Sequence, residues 1–199
     1  MHVRFSTCAG MVVLEQSGGE TVGCLGDPLI HPDTGKLEGF FVEVPRFLGN
    51  DRLFLSALDI VHWGTYVRIG DREVLSPLDE RVRLQQIVES GRTFFGQRMI
   101  TESGRFLGRC RDIQFDTRMF QMEWLFPRKW FRWSTAVPIT EVLDVRREAI
   151  VVRDPAIAGA EPPQGGSILK SLEDLAEPPA IPTPTAPVTS AAHRRQRRS

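Results

Sequence analysis

The stretch GMVVLEQSGGETVGCLGDPLIHPDTGKL, residues 10–37, decides how this chain is read. Its apolar residues, Met11-Val12-Val13 and then Val22 and Leu25, are set apart by Ser17-Gly18-Gly19 and by Asp33-Thr34-Gly35. Short apolar, β-branched runs bounded by glycine and aspartate read as strands joined by turns, because glycine adopts the positive φ that a tight hairpin demands.

The same order returns downstream. Gly96-Gln97-Arg98-Met99 answers Gly10-Met11-Val12-Val13, the run from Arg105 to Asp112 answers that from Glu20 to Asp27, and Asp116-Thr117-Arg118-Met119-Phe120 answers Asp33-Thr34-Gly35-Lys36-Leu37. Gly23 and Gly108 stand 85 residues apart, as do Asp27 and Asp112, whereas Pro45 with Pro127 and Ile60 with Val142 give 82. Self-similarity at one period predicts two copies of one supersecondary unit. Further strand candidates at 39–44, 52–58 and 66–69 bring each copy to about six short strands, which predicts a small closed or nearly closed barrel, since closure removes exposed edges.

Between the copies, Ser76-Pro77-Leu78-Asp79 places a capping residue, a proline at the first helical position and an acid three residues after the cap. Leu78, Val82, Leu84, Ile87 and Val88 give an apolar side and Gly91 a stop, so a helix over 76–92 is predicted to lie against one or both barrels. The domain reading is therefore a first barrel over 1–75, a linker helix over 76–92 and a second barrel over 93–154. Residues 155–199 form a tail with eight of the chain's 14 prolines. Such a segment does not bury enough surface to offset roughly 1–2 kcal/mol per residue of ordering entropy, and disorder is expected. Within it, 167–177 (SILKSLEDLAE) is amphipathic, and the end HRRQRRS is basic with no acid to offset it.

The chain of 199 residues carries 25 basic and 25 acidic side chains. No global field draws it to nucleic acid or membrane, so any such binding is local. No apolar run approaches the roughly 20 residues of a membrane span, and MHVRFSTCAGMVV lacks the order of a signal peptide, which together predict a cytoplasmic protein without an integral membrane segment. Cys8, Cys24 and Cys110 show no C-x-x-C spacing and read as reduced thiols.

On these residues the chain resembles the PRC-barrel family, named for the photosynthetic reaction centre. The family's glycine-based pattern is matched from Gly10 through Leu37, and again through Asp112 and Ile113, departing at Arg118 where a turn glycine is absent. The resemblance covers roughly residues 7–70 and 93–153. It implies an all-β fold, two tandem small PRC-like β-barrels joined by one α-helix with a disordered proline-rich C-terminal tail. It also implies a role in binding proteins or RNA, as in the reaction-centre H subunit or the 16S ribosome maturation factor, although neither the membrane helix of the first nor the separate N-terminal barrel of the second is present.

Chemistry is hard to find. His2, His31, His62 and His193 are scattered singly, and no nucleophile elbow, P-loop or dinucleotide fingerprint occurs. Asp27 and Asp112 sit at equivalent places, which favours a structural turn or cap over paired catalytic carboxylates. No catalytic residue, metal ligand or cofactor is assigned. One stretch stands apart: EWLFPRKWFRWST, residues 123–135, holds three of the four tryptophans, and the equivalent EVPRFLGNDRL has none. A hairpin alternating ring faces and cations suits a protein groove, a nucleic-acid strand or a membrane surface. Trp124, Arg128, Lys129, Trp130, Arg132 and Trp133 are the candidate partner-binding residues. The alternative is that the tryptophans pack on the helix or the other barrel with the cations outward. The expectation is a non-enzymatic protein-interaction scaffold with an unidentified protein partner. The alternatives are an RNA-binding factor in ribosome maturation, and a soluble accessory subunit of a membrane electron-transfer complex in peripheral membrane contact.

Overall fold

Strand β1 (His2–Arg4) leads into a single helical turn, α1 (Phe5–Cys8). The first half then supplies β2 (Val12–Glu15), β3 (Thr21–Ile30), β4 (Leu37–Arg46), β5 (Gly49–Ser56), β6 (Ile60–Trp63) and β7 (Val67–Ile69). After helix α2 (Val82–Glu89) the second half supplies β8 (Arg98–Thr101), β9 (Phe106–Asp116), β10 (Gln121–Lys129), β11 (Arg132–Trp133), β12 (Val137–Pro138), β13 (Val142–Val145) and β14 (Ala149–Val152). This computed structural model describes residues 1–47 and 49–154, so the tail, its 167–177 segment and its basic end lie outside the described residues. Period-two patterning explains the strands. In β4, Phe40, Val42 and Val44 are buried while Glu43 between them is exposed.

The protein is all-β with two sheets, ordered β5-β4-β3-β2-β7-β6 and β11-β10-β9-β8-β14-β13, and the second carries β1 and β12 in addition. Taken strand for strand the two orders are the same, and in each the fourth step is a parallel pair, β2 with β7 and β8 with β14. Neither path closes among the described residues, whereas the sequence predicts closed or nearly closed barrels. The physical reason lies in the core: buried residues of both halves form one cluster, so each sheet is shielded by the other rather than by its own closure. Phe40 and Trp63 of the first half meet Phe115 of the second at ring-centroid distances of 6.0 and 5.6 Å, and Trp63 meets Phe120 at 5.9 Å. Aromatic pairs of this kind add about 0.5–1.5 kcal/mol each beyond the area they bury.

Register sharpens the comparison of the halves. Cys24 opposes Glu43 across β3 and β4, and Arg109 opposes Arg128 across β9 and β10, so 85 residues separate each corresponding pair. Leu25 opposes Val42 as Cys110 opposes Pro127. The counterpart of Pro127 is thus Val42, not Pro45, and the 85-residue offset holds across the paired stretches of β3 with β4 and β9 with β10. Gly23 and Gly108 correspond for a steric reason. A Cβ at Gly23 would come within 2.5 Å of the Glu43 carbonyl oxygen, and one at Gly108 within 2.8 Å of that of Arg128.

The turn in which Arg118 replaces an expected glycine also reads differently. Ile30 pairs with Leu37 and Phe115 with Met122, so Gly35, at φ +68°, corresponds to Phe120, at φ +49°. A left-handed conformation is retained in the second half by a residue that disfavours it. Its ring packs on Phe40 and Trp63, and that burial offsets the strain.

Helix α2 begins later than its capping signal predicts. Ser76 pairs with Phe54 through two backbone bonds of 2.8 and 3.3 Å, and its hydroxyl accepts from Arg81 Nε at 2.9 Å. A tertiary strand bridge outweighs the local cap. A 3-10 turn at Leu78–Glu80 intervenes, α2 runs from Val82, and Gly91 at φ +65° follows its end. Leu84 and Ile87 bury against Leu29 and Phe54 of the first sheet, whereas Val82 and Val88 stay exposed. The N-terminal residues, assigned by sequence to the first half, add β1 to the second sheet, with Val3 opposite Phe115 and Arg4 opposite Gln114.

Candidate interaction surface

The turn between β10 and β11 consists of Trp130 and Phe131 alone, with Lys129 opposite Arg132 closing it. Trp130 holds φ +56° while Phe131 is not left-handed, which places a tryptophan where a two-residue hairpin turn normally takes glycine. A non-glycine residue kept in this region costs on the order of 1–3 kcal/mol, and such strain clusters at functional sites. What the strain secures is presentation: Trp130 is 85% and Phe131 87% exposed.

The six residues singled out by sequence divide. Arg128, Lys129, Trp130, Arg132 and Trp133 are exposed and gather on this hairpin, so Trp130 and Trp133 are not packed away on the helix or the other sheet. Trp124 is separated from them. It lies half-buried mid-strand between Gln114 on β9 and Pro138 on β12. Trp133 is braced by cations, with the Arg4 guanidinium 5.3 Å and that of Arg128 5.5 Å from its ring.

Sequence reasoning missed the row on which this hairpin stands. Arg98 on β8 opposes Arg109 on β9, Arg109 opposes Arg128 on β10, and Arg128 opposes Trp133 on β11. Direct cross-strand partners share a face, so three arginines and a tryptophan form one line across four strands, and the adjoining rung sets Lys129 against Arg132. Among the described residues none of these five cations has an ion-pair partner. The only side-chain hydrogen bond they form there is from Arg109 to the Gly96 carbonyl, at 2.8 Å. The corresponding line of the first half reads Val12, Cys24, Glu43 and Arg52. Setting the two copies side by side would have exposed the contrast; the search for tryptophan alone did not.

The two equivalent aspartates have parted. Asp112 is buried, accepts from the Ser6 amide at 3.0 Å and the Ser6 hydroxyl at 2.6 Å, and lies 3.0 Å from Arg4 Nε, so it anchors the N-terminal segment to the second half. Arg4 in turn lies 3.9 Å over Phe126. Asp27 is exposed and meets Arg52 at 3.3 Å, with Arg52 4.0 Å over Phe41. The motif of acid, arginine and ring is common to both, but one arginine comes from the N-terminus and the other from β5. Burial, and secondarily the charge of Asp112, pushes the thiols of Cys8 and Cys110 up to about 12.

Among the described residues no three His, Cys, Asp or Glu side chains gather as metal ligands, and no helix is long and apolar enough to cross a membrane. His2 bonds to Glu123 at 2.7 Å and His62 lies near Tyr66. No protein-family model and no curated protein matches the chain.

Proposed function

We propose that this chain is a non-enzymatic protein-interaction scaffold built from two PRC-like modules, with the β10–β11 turn as its anchor. One observation carries the reading: two large aromatics stand almost wholly in solvent at a turn whose backbone is strained to hold them there. Exposed Trp and Phe side by side supply contact area at little conformational cost, and tryptophan is enriched among the residues that dominate binding energy. The shared core and the two sheets behind the turn make a rigid support.

The test replaces Trp130 and Phe131 by Ala in the full chain and compares what each form retains from native lysate, with near-ultraviolet circular dichroism verifying the core. Loss of a specifically retained protein by a folded variant is expected. Retention of the same proteins by both forms would end the proposal.

A further inference from the structure

Beyond that reading, and independent of the turn itself, we infer that the Arg98–Arg109–Arg128–Trp133 line is a binding track for single-stranded nucleic acid. Three arginines placed directly opposite one another on successive strands repel, and like charges so placed destabilise a sheet. The chain as a whole is neutral, and no described acid pairs with these arginines, whereas Asp51, Asp27, Glu38 and Asp144 pair with other cations, so this concentration of charge is not a by-product of composition. The first half shows that the fold does not need it: at the corresponding positions Glu43 faces Arg52 and the other two side chains are uncharged.

The shape of the cluster selects among anionic partners. Neighbouring strands lie about 4.8 Å apart, so the three guanidinium stems span roughly 10 Å along one line instead of spreading over a patch. That line ends on the half-exposed ring of Trp133, with the exposed tip beyond it. A row of cations tracking a backbone and leading onto a ring on which a base stacks is the arrangement that recognises single strands without reading sequence. An acidic polypeptide or an anionic bilayer would satisfy the charge but would leave the ring unused as a stacking platform. The phosphodiester backbone is common to RNA and DNA; contact with a 2′-hydroxyl would separate them.

Fluorescence anisotropy of the full chain with labelled oligo(U) and oligo(dT) at low salt tests this, alongside labelled polyglutamate and phosphatidylserine vesicles. Binding of one or both oligonucleotides is expected, with log K falling against log salt at a slope of about −2 for three phosphate contacts. Changing Arg98, Arg109 and Arg128 together to Gln should weaken it at least tenfold, and Trp133→Ala, which leaves every ladder cation in place, should weaken it about fivefold or more. Stronger binding to oligo(U) than to oligo(dT) assigns the track to RNA. The inference is overturned if neither oligonucleotide binds. It is also overturned if the triple variant binds as well as the parent, which would place the affinity elsewhere, or if polyglutamate or vesicles bind as tightly and Trp133→Ala has no effect. None of these results touches the Trp130 and Phe131 test, so the two proposals fail separately.

Discussion

Lys36 and Gln121 face each other across an antiparallel bridge, and each is the other's counterpart in the opposite half. On either side of them the Leu37 amide donates to the Phe120 carbonyl at 2.7 Å and the Met122 amide to the Gly35 carbonyl at 3.0 Å. Since Gly35 corresponds to Phe120 and Leu37 to Met122, the two bonds are images of one another. The contact is therefore isologous, the same surface used on both sides as in a two-fold dimer, and the halves meet about a local dyad through this bridge.

That dyad puts Gly35 and Phe120 in the same left-handed turn with different supports. Gly35→Ala should cost about 1 kcal/mol, from φ strain and a Cβ 3.1 Å from Ile139 Cγ1. Phe120→Gly relieves strain but removes a ring from the shared core, and a net loss of about 1–2 kcal/mol is expected. Urea unfolding of both variants measures the difference; a more stable Phe120→Gly protein would mean the ring contributes less than the turn costs.

Equivalent aspartates should respond unequally to the same change. Asp112→Ala strips a buried anchor from Ser6 and Arg4 and leaves a cation beside an apolar ring, so about 3 kcal/mol of stability should go. Asp27→Ala breaks only a surface pair and should cost under about 1 kcal/mol. Hydrogen exchange should show the β1 amides losing protection in the first variant and not in the second.

Relief of like-charge repulsion predicts the opposite sign for Arg109→Gln. It should raise stability by a few tenths of a kcal/mol at low ionic strength, with the gain shrinking as salt screens the ladder. Thermal melts at two salt concentrations read this directly, and a loss of stability at low salt would show that Arg109 is structural.

Thiol reactivity should follow burial. Of the three cysteines, Cys24 is exposed while Cys8 and Cys110 are buried with thiols raised to about 12. A thiolate is the reactive form, so at neutral pH an aromatic disulfide reagent should titrate one thiol promptly in the native protein and three after denaturation. Prompt titration of two or more would mean that the N-terminal segment opens readily.

Acid should loosen the N-terminal strand first. Burial would raise the Asp116 carboxyl, but bonds from the Met119 and Arg118 amides and from the terminal ammonium outweigh it and hold the group at about 2. A carboxylate depressed in the folded state stabilises fully above its unfolded value near 3.8, and that contribution disappears as pH falls from about 4 through about 2. Asp116→Asn should remove that part of the acid dependence, as seen in the pH profile of chemical unfolding.

Local order was legible in the amino-acid sequence. Apolar alternation and glycine spacing located the strands and turns, and the 85-residue interval from Gly23 to Gly108 is the interval at which cross-strand registers recur. The aromatic and basic hairpin was legible too, as three tryptophans within ten residues set among cations, but the sequence leaves open whether its rings lie in solvent or pack away, and the structure puts Trp130 and Trp133 in solvent and Trp124 half-buried mid-strand. Tertiary structure decided everything that depends on a partner distant in sequence. It opened the barrels into a shared core, moved the start of α2 by pairing Ser76 with Phe54, and buried Asp112 while leaving Asp27 in solvent. It also aligned Arg98, Arg109 and Arg128. Periodicity records which side of a strand is apolar, but the surface that covers that side, and the side chain that ends opposite another, are set by long-range register, which no local pattern encodes.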